Sequence, residues 1–160
     1  MKNDEKTNVC RLLDKAKARY EFHTFDCPEA ISGTEIASAL GLDVCDVFKT
    51  LVTVGKSKNN YVFMVPVDEE LDLKKAAKSV GEKSIEMIKS KELLPLTGYV
   101  HGGCSPIGMK KRFKTVAHTT IKDREKIFFS AGRIGAQIET TYEELLKLVN
   151  VEIADIIVEE

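Results

Sequence analysis

The stretch Val47-Phe48-Lys49-Thr50-Leu51-Val52-Thr53-Val54 constrains this chain more than any other. It is β-branched and apolar, stops at Gly55, and is followed by the polar run Lys56-Ser57-Lys58-Asn59-Asn60. Tyr61-Val62-Phe63-Met64-Val65 then returns as a second apolar run. Two such runs joined by a turn predict a hairpin of core strands. Lys49 is out of place in it, on the same face of an extended strand as Val47 and Leu51. A buried ammonium is costly unless it is paired or lines a polar cavity. Lys49 therefore either snorkels to water from an edge strand or belongs to a site.

The remaining segments supply mixed elements around the hairpin. Val9, Leu12, Leu13 and Ala16 recur at helical spacing, which predicts an amphipathic helix over roughly 5–18. Tyr20–Phe25 alternates as a strand, and Thr34 is placed to cap a short helix that stops at Gly41. Asp72 caps a helix closed by Gly81, and Ser90 opens another before Pro95. Thr115–His118, Ile127–Ser130 and Ala136–Glu139 read as strands. Thr140 and Glu143 suggest a capping box for a last helix over Tyr142–Val149. This order is not a strict βαβα alternation, so the expected fold is mixed α/β (α+β): a mixed sheet, curved toward a partial barrel, with helices packed on it. With 160 residues and no repeat or linker, one domain over 1–160 is the economical reading.

Composition narrows the function classes. No apolar run approaches the roughly 20 residues that cross a bilayer, and the N-terminus has no apolar signal core, which together imply a cytoplasmic protein. The net charge of −1 argues against coating nucleic acid through bulk electrostatics, while leaving room for a local basic patch. The four cysteines, Cys10, Cys27, Cys45 and Cys104, form no CxxC pair and match no zinc-site spacing, so free thiols are expected. There is no HExxH, no paired-carboxylate signature and no metal-ligand cluster by spacing, and no cofactor is implied. Gly132-Arg133-Ile134-Gly135 lacks the strand–GxGxxG–helix setting of a nucleotide cradle.

A second anomaly lies between Gly98 and Gly108, too rich in turn formers to be a regular element. Adjacent Gly102 and Gly103 allow close backbone approach, and their N–H groups, with those of Cys104 and Ser105, can converge on an oxyanion. Pro106 stiffens the exit; a plain tight turn is the simpler alternative. Cys104 is a nucleophile only with a base, and His101 serves only if the loop folds back. Lys110-Lys111-Arg112 follows directly, either as a solvated face or as contacts to nucleic-acid phosphates.

Taken together, Phe48-Lys49-Thr50-Leu51-Val52, Leu71–Ala77, Gly98-Tyr99-Val100, Gly102–Gly108, Lys110-Lys111, Ser130–Arg133 and Ile138-Glu139 resemble the YbaK/EbsC family of aminoacyl-tRNA deacylases over nearly the whole chain. The similarity is greatest to the branch that clears cysteine from tRNA for proline. It implies a six- or seven-stranded sheet or partial barrel and, as partners, an aminoacylated tRNA end and prolyl-tRNA synthetase. Carried over by position, Lys49 matches the family's essential lysine; Tyr20, Thr50 and Ser130 match pocket residues; and Gly102–Pro106 matches the GxxxP loop, whose amides stabilise the ester oxyanion. Two departures stand out: Gln137 replaces an acidic pocket residue, and Cys104 occupies a position usually aliphatic or small. The implied reaction is substrate-assisted, with the substrate's own thiol attacking its ester. The alternatives are an alanyl- or seryl-tRNA deacylase using water, and a non-catalytic module binding tRNA or the synthetase.

Overall fold

The apolar hairpin forms as its sequence requires, in a computed structural model that describes residues 5–26 and 32–159; Cys27 lies outside them. Strands β2 (Phe48–Gly55) and β3 (Asn60–Pro66) pair antiparallel, with Lys49 opposite Val65 and Thr50 opposite Met64. On the far side of β3, β5 (Lys114–His118) and then β8 (Val151–Ala154) add in parallel, while β4 (Ile85–Met87) adds antiparallel to β2. The strand order is β4-β2-β3-β5-β8.

Three further strands, β1 (Glu21–Thr24), β6 (Ile127–Ser130) and β7 (Ala136–Thr140), make a separate antiparallel sheet in the order β1-β7-β6. The mixed α/β class is as expected, with eight strands among the described residues divided between two sheets. Among the described residues, backbone pairing between the sheets is confined to one parallel bridge, Val47 to Phe128, between the residue that leads into β2 and strand β6. Both residues are buried, and pairing stops there. A gap opens just beyond the seam.

β3 is covered on both faces, which explains its unbroken apolar run. Val62 and Met64 join the larger core with Phe48, Phe129, Ile138 and helix α1 (Asn8–Lys15), whereas Phe63 and Val65 pack with Ala76 and Ala77 of helix α3 (Leu73–Val80). Phe63 is fully buried, a side chain whose burial contributes about 1.5–3 kcal/mol.

The helix starts follow capping chemistry, with two shifts from expectation. Helix α2 (Gly33–Leu40) begins at a capping box of Ser32 and Glu35, not at Thr34, and ends at Gly41 in the left-handed region. Asp72 accepts from the Lys74 and Lys75 amides at the start of α3. Helix α4 (Ser90–Thr97) runs through Pro95. Its last turn is held by Thr97 Oγ1 donating to the Leu93 carbonyl and by the Lys110 amide donating to Thr97 O. Helix α5 (Tyr142–Leu145) is capped by Thr141, and is shorter than its apolar spacing suggests because the chain tightens after Leu145. No helix among the described residues is long and apolar enough to cross a membrane.

Candidate active site

A cavity of about 540 Å³ occupies the gap beyond the Val47–Phe128 bridge. Its floor and walls are apolar, from Phe48, Leu51 and Val52 of β2, Ile36 of α2 and Leu93 of α4. Into it come Lys49 and Thr50 from β2, Ser130 from β6, Gln137 from β7, and Gly102 and Cys104 from the glycine loop. Six sequence-derived candidates, drawn from four separate stretches of chain, thus share one cavity. Ser32, Gly33, Lys89, Ser90 and His101 also line it. At Gly33 a Cβ would overlap the Val67 side chain, so glycine lets α2 start hard against the cavity wall.

Lys49 is half-buried. Burial pulls its pKa down, opposed by the negative charges of Glu70, Asp68 and Glu69 in the stretch after β3. Desolvation outweighs those charges, so the ammonium is only partly compensated. Two polar atoms of lining residues, Thr50 Oγ1 and Gln137 Oε1, are buried and have no hydrogen-bond partner. Such orphans are rare in folded proteins. Ser130 Oγ, in contrast, accepts from the Gly132 amide at 3.1 Å.

The two loop glycines do different work. Gly102 has φ +88, where only glycine is unstrained. Gly103 is buried, and its N–H donates to the Val100 carbonyl at 3.0 Å. A Cβ on it would sit 3.0 Å from Arg133 Cα. Gly103 does not line the cavity, so the converging amide set expected from the sequence loses that member. The amides of Gly102 and Cys104 make no hydrogen bond among the described residues. Tyr99 fastens the loop from beneath, its buried hydroxyl donating to the Ile107 carbonyl.

Cys104 is 9% exposed, and burial pushes its thiol up to about 12. It is free, as are Cys10 and Cys45, and a thiol so shifted is a poor nucleophile at neutral pH.

Other sequence candidates sit elsewhere. Tyr20 is outside the cavity lining, its hydroxyl donating to Asp14 Oδ1 at 2.8 Å. Ser105 is fully buried, its Oγ accepting from the Ile107 amide at 3.3 Å. Pro106 lines a second cavity of about 660 Å³ together with Lys111 and Arg112. Lys110 reaches the Pro95 carbonyl at 3.4 Å. The β1–β7 register also gathers Glu21, His23 and Glu139, with His23 Nε2 2.9 Å from Glu139 Oε1. That trio was invisible to spacing in the sequence, and it reads as a side-chain hydrogen-bonded cluster on a partly exposed sheet face.

With this geometry in view, the chain belongs to the aminoacyl-tRNA editing domain family, whose pattern matches residues 27–148. It is 42% identical over 160 residues to an Enterococcus faecalis protein provisionally named Cys-tRNA(Pro)/Cys-tRNA(Cys) deacylase EbsC, covering 99% of this chain and 98% of that one. A proline–tRNA ligase of Shouchella clausii is 32% identical over 108 residues, which are 68% of this chain but only 19% of the ligase. Among solved structures, one described as a provisional trans-editing enzyme for prolyl-tRNA synthetase superposes with a TM-score of 0.82 at 24% identity, covering 98% of this chain and all of the other. The fold is therefore that of editing domains.

Proposed function

We propose that this chain removes cysteine from cysteinyl-tRNA formed on the tRNA for proline, acting in trans in the cytoplasm. The observation that carries the reading is the meeting of Lys49 with the unpaired Gly102 and Cys104 amides in one cavity, beside a Cys104 thiol held protonated. With no protein nucleophile in play, the substrate supplies its own. Its thiol sulfur attacks the ester carbonyl, the bond to the ribose oxygen breaks, and the thiol proton ends on that oxygen. The products are deacylated tRNA and a cyclic thiolactone.

The protein's part is orientation and charge stabilisation. Holding thiol and ester in an attack geometry supplies proximity, and the two amides meet the negative charge that develops on the carbonyl oxygen. Lys49 adds a fixed positive charge at the same cavity, placed to hold the acceptor-end ribose or phosphate. Lys111 and Arg112, beyond the loop, meet the tRNA backbone as charges that position without reading sequence. The similarity to a segment of a proline–tRNA ligase supports prolyl-tRNA synthetase as the source of the mischarged substrate. A pocket separates near-isosteric amino acids by only about 1–3 kcal/mol, so a second, clearing step is physically reasonable.

Deacylation of cysteinyl-tRNA by Lys49→Ala and Cys104→Ser tests this assignment. Lys49→Ala is expected to lose most activity and Cys104→Ser to keep it. Loss with Cys104→Ser and retention with Lys49→Ala would make the protein a cysteine-nucleophile hydrolase. Binding of tRNA without turnover by the parent chain would make it a non-catalytic module.

A further inference from the structure

The second cavity, of about 660 Å³, shares the glycine loop with the first. Gly102 and Cys104 line one, and Pro106 to Met109 line the other. Two residues of chain reach at most about 7 Å, so the two linings come that close between Cys104 and Pro106. The apolar lining of the second cavity comes from Leu12, Ile107, Met109, Phe113, Leu148 and Val149. Its volume suits a small organic group.

Four cations also line it, Lys111, Arg112, Lys114 and Lys147, against one carboxylate, Glu152. Glu152 is taken by Lys114 at 3.2 Å, and Lys147 is held by Glu144 at 3.0 Å. Lys111 and Arg112 are exposed, and neither makes an ion pair or a hydrogen bond among the described residues. Phe113, next along the chain, is partly exposed and is the one aromatic ring in the lining among those residues. Two uncommitted cations beside an apolar hollow with an aromatic ring suit a ligand that joins negative charge to a flat ring. A nucleotide has that form, with a phosphate for the cations and a base that stacks on the ring.

We propose that this cavity holds an unpaired nucleotide of the tRNA acceptor end, one or two places before the aminoacylated one, with its base against Phe113 and its phosphate on Lys111 and Arg112. The inference rests on the deacylase reading above for the position of the terminal nucleotide, whose ester lies beside Gly102 and Cys104. A strand leaving that point meets Pro106 after the short span of loop between the cavities. Stacking accepts any base, because every base has a π face, so the cavity grips an unpaired end without reading its sequence. A base-paired nucleotide has no free face to offer, so the same cavity favours a frayed, single-stranded end over a duplex.

The test uses the full chain and uncharged RNA hairpins that end in the unpaired 3′ nucleotides of tRNA. In two further hairpins, one of the two nucleotides before the terminal one is abasic but keeps its phosphate. Dissociation constants are read by fluorescence anisotropy at fixed salt. With the parent chain, one of the abasic positions is expected to weaken binding about 5- to 150-fold. Phe113→Leu keeps an apolar side chain but loses the ring face; it weakens the intact hairpin by a similar factor, and the abasic change then costs little more. Phe113→Tyr restores both the affinity and the abasic penalty. Independent, multiplicative losses from Phe113→Leu and the abasic change, or a parent chain indifferent to both abasic positions, would overturn the inference. Deacylation of cysteinyl-tRNA by the parent, measured separately, tests the reading beneath it. Turnover with multiplicative losses removes the inference alone; coupling without turnover removes the deacylase reading and leaves the nucleotide site standing.

Discussion

Gly103→Ala puts one methyl group against a wall that cannot yield. The added Cβ lies 3.0 Å from Arg133 Cα, 3.1 Å from the Arg133 carbonyl carbon and 3.2 Å from the Ile134 nitrogen. All three are backbone atoms, so no flexible side-chain end can swing away. Relaxed contacts sit at roughly 3.5–4.0 Å, which requires the glycine loop and the 133–134 segment to part by about 0.5 Å. Overpacking of this kind costs about 1–3 kcal/mol. For a chain of this length each kcal/mol is worth about 2–4 °C, so Tm falls by about 2–12 °C. The same displacement carries the Gly102 and Cys104 amides off the developing oxyanion, and losing one such donor lowers the rate about 100- to 1000-fold. Thermal unfolding followed by single-turnover deacylation at saturating tRNA reads both numbers. A variant with the parent's Tm and rate would refute both the close packing and the need for placed amides.

Other perturbations separate structural from functional roles. Lys49→Met is expected to raise the unfolding temperature at pH 7 while removing activity, because burial disfavours the charged lysine in the folded state. With the folded pKa depressed, the parent recovers stability as pH rises from that value toward the ordinary 10.5, so the gap between the two proteins narrows there; a gap that widens would contradict the assignment. His118 is buried, accepts from the Ile156 amide at Nδ1, and is held below 6.5 chiefly by desolvation, against Asp155 and Glu69. Stability is therefore full above pH 6.5 and declines as pH falls from 6.5 through the depressed value, and His118→Gln flattens that part of a pH series of urea melts. Tyr99→Phe leaves the buried Ile107 carbonyl without its donor, and should cost about 1–3 kcal/mol in urea denaturation; an unchanged midpoint would deny Tyr99 its role under the loop.

What the sequence made legible followed from local chemistry. The β2–β3 hairpin, the Asp72 cap and the Gly41 and Gly81 stops depend on neighbouring residues, and they appear as read. Each capping shift is a matter of a few residues, since Ser32 with Glu35, and Thr141 with the Glu144 amide, meet the same rule as the residues chosen instead. Strands β4 and β8 escaped notice because each is three or four residues long and defined by its partner, Thr53–Gly55 for one and Thr115–His118 for the other. In the site, Lys49 announced itself as a charge in an apolar strand. Ser130 and Gln137 carried no signal of their own and were found through the resemblance. Lys89 and Ser90 reach the cavity only because the chain turns into α4 there. The glycine pair looked symmetrical in sequence, yet the fold gives one residue a positive φ and the other a close backbone neighbour.

Single-turnover deacylation of tRNA(Pro) carrying cysteine, S-methylcysteine, alanine or serine reports most directly on whether the substrate attacks itself. Rapid loss of cysteine alone, with the three thiol-free esters persisting, is the expected result. Comparable clearance of S-methylcysteine would mean that water is the nucleophile, and would contradict it.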